Sequence, residues 1–157
     1  MTIEHEELSK LVPQKGKMFL LGRITDAQPE KWTIESETEI TPDFMFYEKN
    51  IDGCPNYVCF ELIAQTIAAL TGLNAQKASN SSKMGFILSV SNLHFDFDII
   101  KSGESVRVKS TREDVDDNIF SFSAEIFVDG KFGGKGKLTV MEVENKGISK
   151  KSPKASF

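Results

Sequence analysis

Asn56-Tyr57-Val58-Cys59-Phe60-Glu61-Leu62-Ile63-Ala64-Gln65-Thr66-Ile67-Ala68-Ala69-Leu70-Thr71-Gly72-Leu73 is the stretch on which the fold turns. It reads as the start of a helix from Asn56 to Ala78, about 33 Å long if unbroken. The helix is apolar nearly all the way round, which marks a buried element. Yet it carries a carboxylate, Glu61, with Gln65 one turn on and on the same face. A carboxyl group in apolar surroundings needs a partner or a task. Asp52-Gly53 and Pro55 mark a sharp entry turn before the helix.

The elements on either side read as strands. Trp32, Ile34, Ser36, Thr38 and Ile40 alternate with Thr33, Glu35, Glu37 and Glu39, the period of a half-exposed antiparallel strand. Met18 to Leu21 predicts a first strand, and Glu4 to Leu11 a short acidic helix or turn. Gly85 to Phe97 predicts a long strand with a bulge or bend near Val90 to Leu93, where its apolar phase shifts. Phe120, Phe122, Ala124, Ile126 and Val128 lead into Asp129-Gly130, a two-residue hairpin signal. Phe132, Gly134, Gly136, Leu138 and Val140 answer on the return. Glycines on an inner face imply close approach of another backbone, and the buried helix is the expected neighbour. Ser79 to Ser82 reads as a loop. The order is two strands, one long helix, then four strands in meander, an α+β layout. Residues 1–143 form a single domain, and residues 144–157 read as a basic, disordered tail. The helix has too little polar surface to face water behind one sheet, so a second subunit is expected to cover it or to extend the sheet.

Composition excludes several classes. The chain has 157 residues, a net charge of −4, 39% hydrophobic and 27% charged residues, an ordinary globular balance. That balance argues against broad nucleic-acid binding. No apolar run is expected to cross a membrane, and residues 1–7 lack the pattern of a signal peptide. Cys54 and Cys59 match no zinc spacing and make no disulfide framework, so a reduced cytoplasmic protein is expected. No metal or nucleotide motif is visible, and no cofactor is expected.

Three segments carry a family resemblance. Leu11 to Ile24 resembles an opening L-P-H-R-x-P-x-L-L-x-D-R-V. Phe60-Glu61-Leu62-Ile63-Ala64-Gln65 resembles V-E-A-L-A-Q on a central helix. Phe95 through Ser102-Gly103-Glu104 resembles F-x-x-P-V-x-P-G-D. In this order and spacing they resemble the hot-dog fold, a long central helix wrapped by a curved antiparallel sheet. Within it they resemble the 3-hydroxyacyl-acyl-carrier-protein dehydratases of fatty-acid synthesis, over roughly Leu11 to Met141. Gly53-Cys54-Pro55-Asn56-Tyr57-Val58 is similar to a divergent branch from aryl-polyene-type clusters, with G-x-P-x-W-V-G-x-E-x-x-A-Q. The departures are specific. Tyr47 stands where the family has a catalytic histidine, Asn56 where it has the last glycine of the entry motif, and Gln14 at another common histidine position.

The resemblance implies a 3-hydroxyacyl-thioester dehydratase-like protein in which Glu61 is the acid. Such a reaction needs a base for the α-proton, an acid for the leaving hydroxyl, and donors for charge on the thioester oxygen. A desolvated glutamate is suited to the acid role. Amides around Asn56, Tyr57, Val58 and Cys59, at the positive end of the helix, are the expected donors; Pro55 and Gln65 are counted with the substrate-binding residues, and Gln65 either orients Glu61 or bridges the dimer. The plain alternative is a helix start capped by Asn56. Tyr47 is a poor base near neutral pH and reads more readily as a packing or orienting residue. His94, the one histidine inside the fold, is the remaining candidate base; His5 lies near the N-terminus. Cys54 and Cys59 lack the company a thiol nucleophile needs. Lys15, Lys17 and Arg23 either meet an acidic carrier or form a solvated edge. The expected partners are an acyl carrier protein or coenzyme A thioester and a second subunit, as a homodimer or a related hot-dog chain. The alternatives are a non-catalytic acyl-binding subunit paired with an active dehydratase, and a hot-dog acyl thioesterase.

Overall fold

The computed structural model describes residues 1–78 and 83–144. A short helix, α1 (His5–Leu8), precedes β1 (Arg23–Gln28) and β2 (Thr33–Glu39). A three-residue strand β3 (Gly53–Pro55) leads into the long helix α2 (Val58–Lys77). After it come β4 (Lys83–Phe95), β5 (Ile99–Lys101), β6 (Ser105–Asp116), β7 (Ile119–Val128) and β8 (Lys131–Glu144). Six strands form one sheet in the order β1-β2-β6-β7-β8-β4, every pair antiparallel, and β3 pairs with β5 apart from it. The α+β hot-dog arrangement expected from the sequence is therefore present.

The alternating pattern of β2 places Ile34, Ser36 and Thr38 in the core, against α2. Val106 and Val108 of β6, Phe122, Ala124 and Ile126 of β7, and Leu138 of β8 continue that buried inner face. The helix buries Val58, Cys59, Leu62, Ile63, Gln65, Thr66, Ile67, Ala69, Leu70 and Leu73. A hydroxyl pair, Ser36 Oγ to Thr66 Oγ1 at 2.7 Å, joins sheet to helix inside the core; Thr66 Oγ1 donates to the Leu62 carbonyl at 2.7 Å, so the hydrogen it accepts comes from Ser36. At Gly72 a Cβ would sit 2.5 Å from the Leu11 carbonyl, so the helix admits the N-terminal segment only through a glycine.

By length and composition α2 could cross a membrane, contrary to the sequence expectation that no segment would. Its place against the sheet makes it a core helix instead. It begins at Val58, two residues later than expected, and Tyr57 rather than Asn56 occupies the capping position, with no side-chain cap.

Three further expectations are corrected. Met18 to Leu21 is not a strand: Gly16–Met18 is a 3-10 turn, and the extended residues after it lie outside the sheet. The strands after α2 are not one meander, because β4 crosses to the far edge beside β8. The backbone that approaches Gly134 and Gly136 is β4, not α2. A Cβ on Gly134 would strike the His94 carbonyl, and one on Gly136 would lie 2.6 Å from Leu93 Cδ1. The bulge expected near Val90 to Leu93 is present between Ser91 and His94, with Asn92 at φ 53°. The Asp129-Gly130 turn has φ of 47° and 80°, the pair of positive values a type I′ hairpin needs. The Ser79–Ser82 loop and most of the expected 144–157 tail lie outside the described residues; Glu144 closes β8.

Candidate active site

Glu61 lies in the first turn of α2 and is half-buried. Its Oε1 accepts a hydrogen bond of 3.0 Å from Gln65 Nε2. Gln65 itself is fully buried. Its Nε2 also donates to the Met18 carbonyl at 2.8 Å, and its Oε1 accepts from the Leu20 N–H at 2.9 Å. Both ends of the Gln65 amide are thus engaged inside the protein, one of its hydrogens on Glu61. Phe19 and Leu20 then form one wall of an open depression of about 180 Å³, closed opposite by Thr41, Asp43, Phe44 and Met45.

Of the amides expected to polarise a carbonyl, two are already used. The Asn56 N–H donates to the Asp98 carbonyl at 2.9 Å, and the Cys59 N–H to the Asn56 carbonyl at 3.0 Å. Among the described residues, the N–H groups of Tyr57 and Val58 have no protein acceptor. They are the open donors at the positive end of α2. The Asn56 side chain is anchored by its Nδ2 on the Phe97 carbonyl at 2.8 Å, and Pro55 pairs with Ile99 across β3 and β5. Tyr57 projects outward and is 64% exposed, an aromatic ring beside those two amides.

The two candidate bases have partners of their own. Tyr47 donates its phenol to Asp52 Oδ1 at 2.5 Å, and that carboxylate pushes the phenol above its ordinary pKa. A phenol so held keeps its proton. His94 sits on β4 with its Nε2 2.8 Å from Asp96 Oδ1, and its side chain is 70% exposed. Among the described residues neither one hydrogen-bonds to Glu61. His5 is structural, its Nδ1 3.0 Å from the Leu21 carbonyl and its ring stacked on Phe19.

The thiols are inert by environment. Burial pushes Cys54 up to about 11, with Glu48 adding to it, and Cys59 up to about 12. The basic cluster is dispersed: Lys15 Nζ is tied to the Ser9 and Val12 carbonyls, and Arg23 pairs with Glu37 at 3.0 Å. Among the described residues no group of His, Cys, Asp and Glu is arranged to hold a metal ion.

Residues 6–150 match a family model described as "ApeP-like: ApeP dehydratase". This chain belongs to the ApeP-like family. The expected dehydratase-like protein of the fatty-acid and polyene-synthesis group is thereby met. The ApeP-like chain is also 24% identical over 143 residues to the 3-hydroxyacyl-[acyl-carrier-protein] dehydratase FabZ of Rickettsia bellii, covering 90% of this chain and 97% of that protein. The FabZ of Rickettsia felis is 24% identical over the same length and shares. Among solved structures, the dehydratase heterocomplex ApeI:P from Xenorhabdus doucetiae superposes with a TM-score of 0.79 at 16% identity, over 88% of this chain and 91% of that one. A hypothetical thioesterase with coenzyme A from Streptococcus pneumoniae superposes with a TM-score of 0.60 at 11% identity, over 77% and 84%. These likenesses establish the hot-dog fold, which hosts more than one chemistry.

Proposed function

We propose that this ApeP-like chain is one half of a dehydratase for 3-hydroxyacyl thioesters on an acyl carrier protein, and that a related hot-dog subunit supplies the base. The observation that carries the reading is Tyr47. The residue at the histidine position holds its proton against Asp52, and among the described residues His94 hydrogen-bonds to Asp96 and not to Glu61, which supports a base supplied from elsewhere. In the paired site, the partner's base takes the α-proton of the thioester. Electrons from that C–H bond form the Cα=Cβ bond, and the hydroxyl leaves as water with a proton from Glu61. The Tyr57 and Val58 amides hold the thioester oxygen as negative charge builds on it.

Two surfaces support pairing. On α2 a half-buried stripe of Phe60, Ala64, Ala68, Thr71 and Ala75 runs on from Glu61, and beyond Phe60 its side chains are small enough for a second helix to approach. On the sheet, β4 is an unpaired edge with apolar side chains open to solvent. The solved ApeI:P structure is titled a heterocomplex, which favours a related partner over a second copy. Free, buried Cys54 and Cys59 suit a reducing cytoplasm.

The test is mass spectrometry of a 3-hydroxyacyl carrier-protein substrate with this chain alone, with a histidine-bearing hot-dog dehydratase subunit encoded in the same genome, and with both. The reading expects no 18-dalton loss from this chain alone and a loss with both. Dehydration by the isolated chain overturns the missing base, and release of free acid assigns a thioesterase instead.

A further inference from the structure

We propose that a cleft at the far end of α2 binds a free amino acid with a large apolar side chain. This cleft is remote from the site already described, about 18 Å along the helix from Glu61 to Leu73. Its ligand is therefore independent of the proposed dehydration.

Two helical faces form the cleft. Glu7, Lys10 and Leu11 fall on one side of α1 and of the turn that continues it, where the Lys10 and Leu11 N–H groups donate to the Glu7 and Leu8 carbonyls at 3.1 and 2.9 Å. Leu73, Gln76 and Lys77 have the same spacing on α2 and share a face of it. Gly72 lets the two faces meet, since a Cβ there would strike the Leu11 carbonyl. Ile3 closes the floor, held by its two backbone bonds to Ile24. The space between them is about 400 Å³, within the range of small-molecule sites, whereas the depression beside Phe44 and Met45 falls below that range at about 180 Å³.

The lining decides the chemistry of the ligand. Ile3 and Leu73 are buried and Leu11 is half-buried, so the floor is apolar. The rim carries both signs of charge. Among the described residues neither Glu7 nor Lys10 enters an ion pair, and Lys77 reaches Glu30 only at 3.8 Å. A simple carboxylate would meet Lys10 and Lys77, but also Glu7 and the negative end of α2. A simple amine would meet Glu7, but also the two ammonium groups. A zwitterion answers both sets. Its carboxylate lies toward Lys10 and Lys77, its ammonium toward Glu7 and the helix end, and its side chain on Ile3, Leu11 and Leu73. A side chain of leucine or phenylalanine size covers that floor, while glycine leaves it to water.

The test is titration of the full isotope-labelled chain with L-phenylalanine, read by backbone amide NMR. The shifts should saturate with a Kd of about 1 mM, ordinary for a ligand of this size in an open cleft, and should cluster at Ile3, Leu11, Leu73 and Gln76. N-acetyl-L-phenylalanine lacks the ammonium and L-phenylalaninamide lacks the carboxylate. Each should bind about two- to fivefold more weakly, the worth of an exposed ion pair. E7A and K10A should weaken L-phenylalanine by similar factors, and both side chains are exposed, so neither change removes a core contact. E7A should not weaken the N-acetyl form further, nor K10A the amide, because each variant removes the group that the ligand already lacks a match for. A merely structural role for either residue would weaken all three ligands alike and overturns the proposal. So does the lack of a saturable shift by about 20 mM L-phenylalanine, or shifts centred on Phe44 and Met45. Equal binding of the N-acetyl form would make the cleft an anion site, equal binding of the amide a cation site, and either result overturns the zwitterion. None of these readouts needs turnover or a partner, so failure of the dehydratase reading and failure of this one are told apart.

Discussion

Among the described residues, the chain covers itself at the β1 edge of the sheet and leaves the β4 edge open. Ile3 bridges Ile24 by two backbone bonds of 3.0 and 2.9 Å, so the N-terminal segment takes up part of the edge. The terminal amine meets Asp26 at 3.1 Å, and Arg23 meets Glu37 at 3.0 Å. These are the covers and charges that keep an edge from pairing with another chain. Along β4, residues 85 to 93 carry no charged side chain, and Ile87, Leu88, Val90 and Leu93 are 44%, 49%, 38% and 36% exposed. Exposed apolar residues at consecutive positions show on both faces of the strand at once. The difference teaches that one edge of this sheet is closed and the other is open, the edge at which the proposed partner would pair. Glu61, half-buried on the helix stripe and hydrogen-bonded to neither candidate base among the described residues, is open in the same sense.

The largest expected effect comes from charging the open edge. The double change I87K/V90K should weaken pairing with the related subunit about 100-fold or more, read by sedimentation of the mixed chains, because buried charges without partners oppose association. Thr25→Lys on the β1 edge should leave pairing unchanged; equal losses would break the contrast. Next comes the seam that carries β4. Gly134→Val drives a side chain into the His94 carbonyl and should cost about 2 to 3 kcal/mol of stability by urea unfolding, if strain of the usual overpacking size is not relieved.

The smallest effects belong to the finished edge. Arg23→Ala should cost under about 1 kcal/mol, the ordinary worth of an exposed ion pair. Its pH dependence has a definite sign. Arg23, against the opposing effect of partial burial and with help from Arg107, holds the Glu37 carboxyl below its ordinary value of 4.5. A lowered native value means that the stabilisation is present above about pH 4.5 and fades as pH falls through the native value. Wild type and Arg23→Ala should therefore converge in stability in acid, measured by unfolding between pH 7 and 3. Convergence at high pH instead would reverse the assignment.

Much of the fold was legible because local chemistry and global packing agree. Asp129-Gly130 marks a hairpin since only such residues enter the positive-φ turn with ease, and the alternation of β2 and β7 matches their buried faces. The errors fall where a distant group decides. Met18 to Leu21 has the apolar look of a strand, but its bonds go to the side chain of Gln65 rather than to a neighbouring strand. The inner glycines announce a close approach without saying whose, and strand order puts β4 there. In the site, Glu61, Gln65 and the opening of α2 were readable from the helix itself. Asp52-Gly53 announces the turn, and Asp52 enters it at φ 46°, but nothing in the sequence pattern says that its carboxylate meets the Tyr47 phenol.

The central claim, that Glu61 serves a base on another subunit, is tested most directly by complementation. The histidine-bearing subunit is prepared with its own helix carboxylate replaced and its histidine intact, then mixed with this chain, and the 18-dalton loss from a 3-hydroxyacyl carrier protein is followed. The account predicts turnover with wild type and a loss of about 100-fold or more with Glu61→Gln. Equal turnover by the two forms, or none by either in a mixture that sediments as a stable pair, would contradict it.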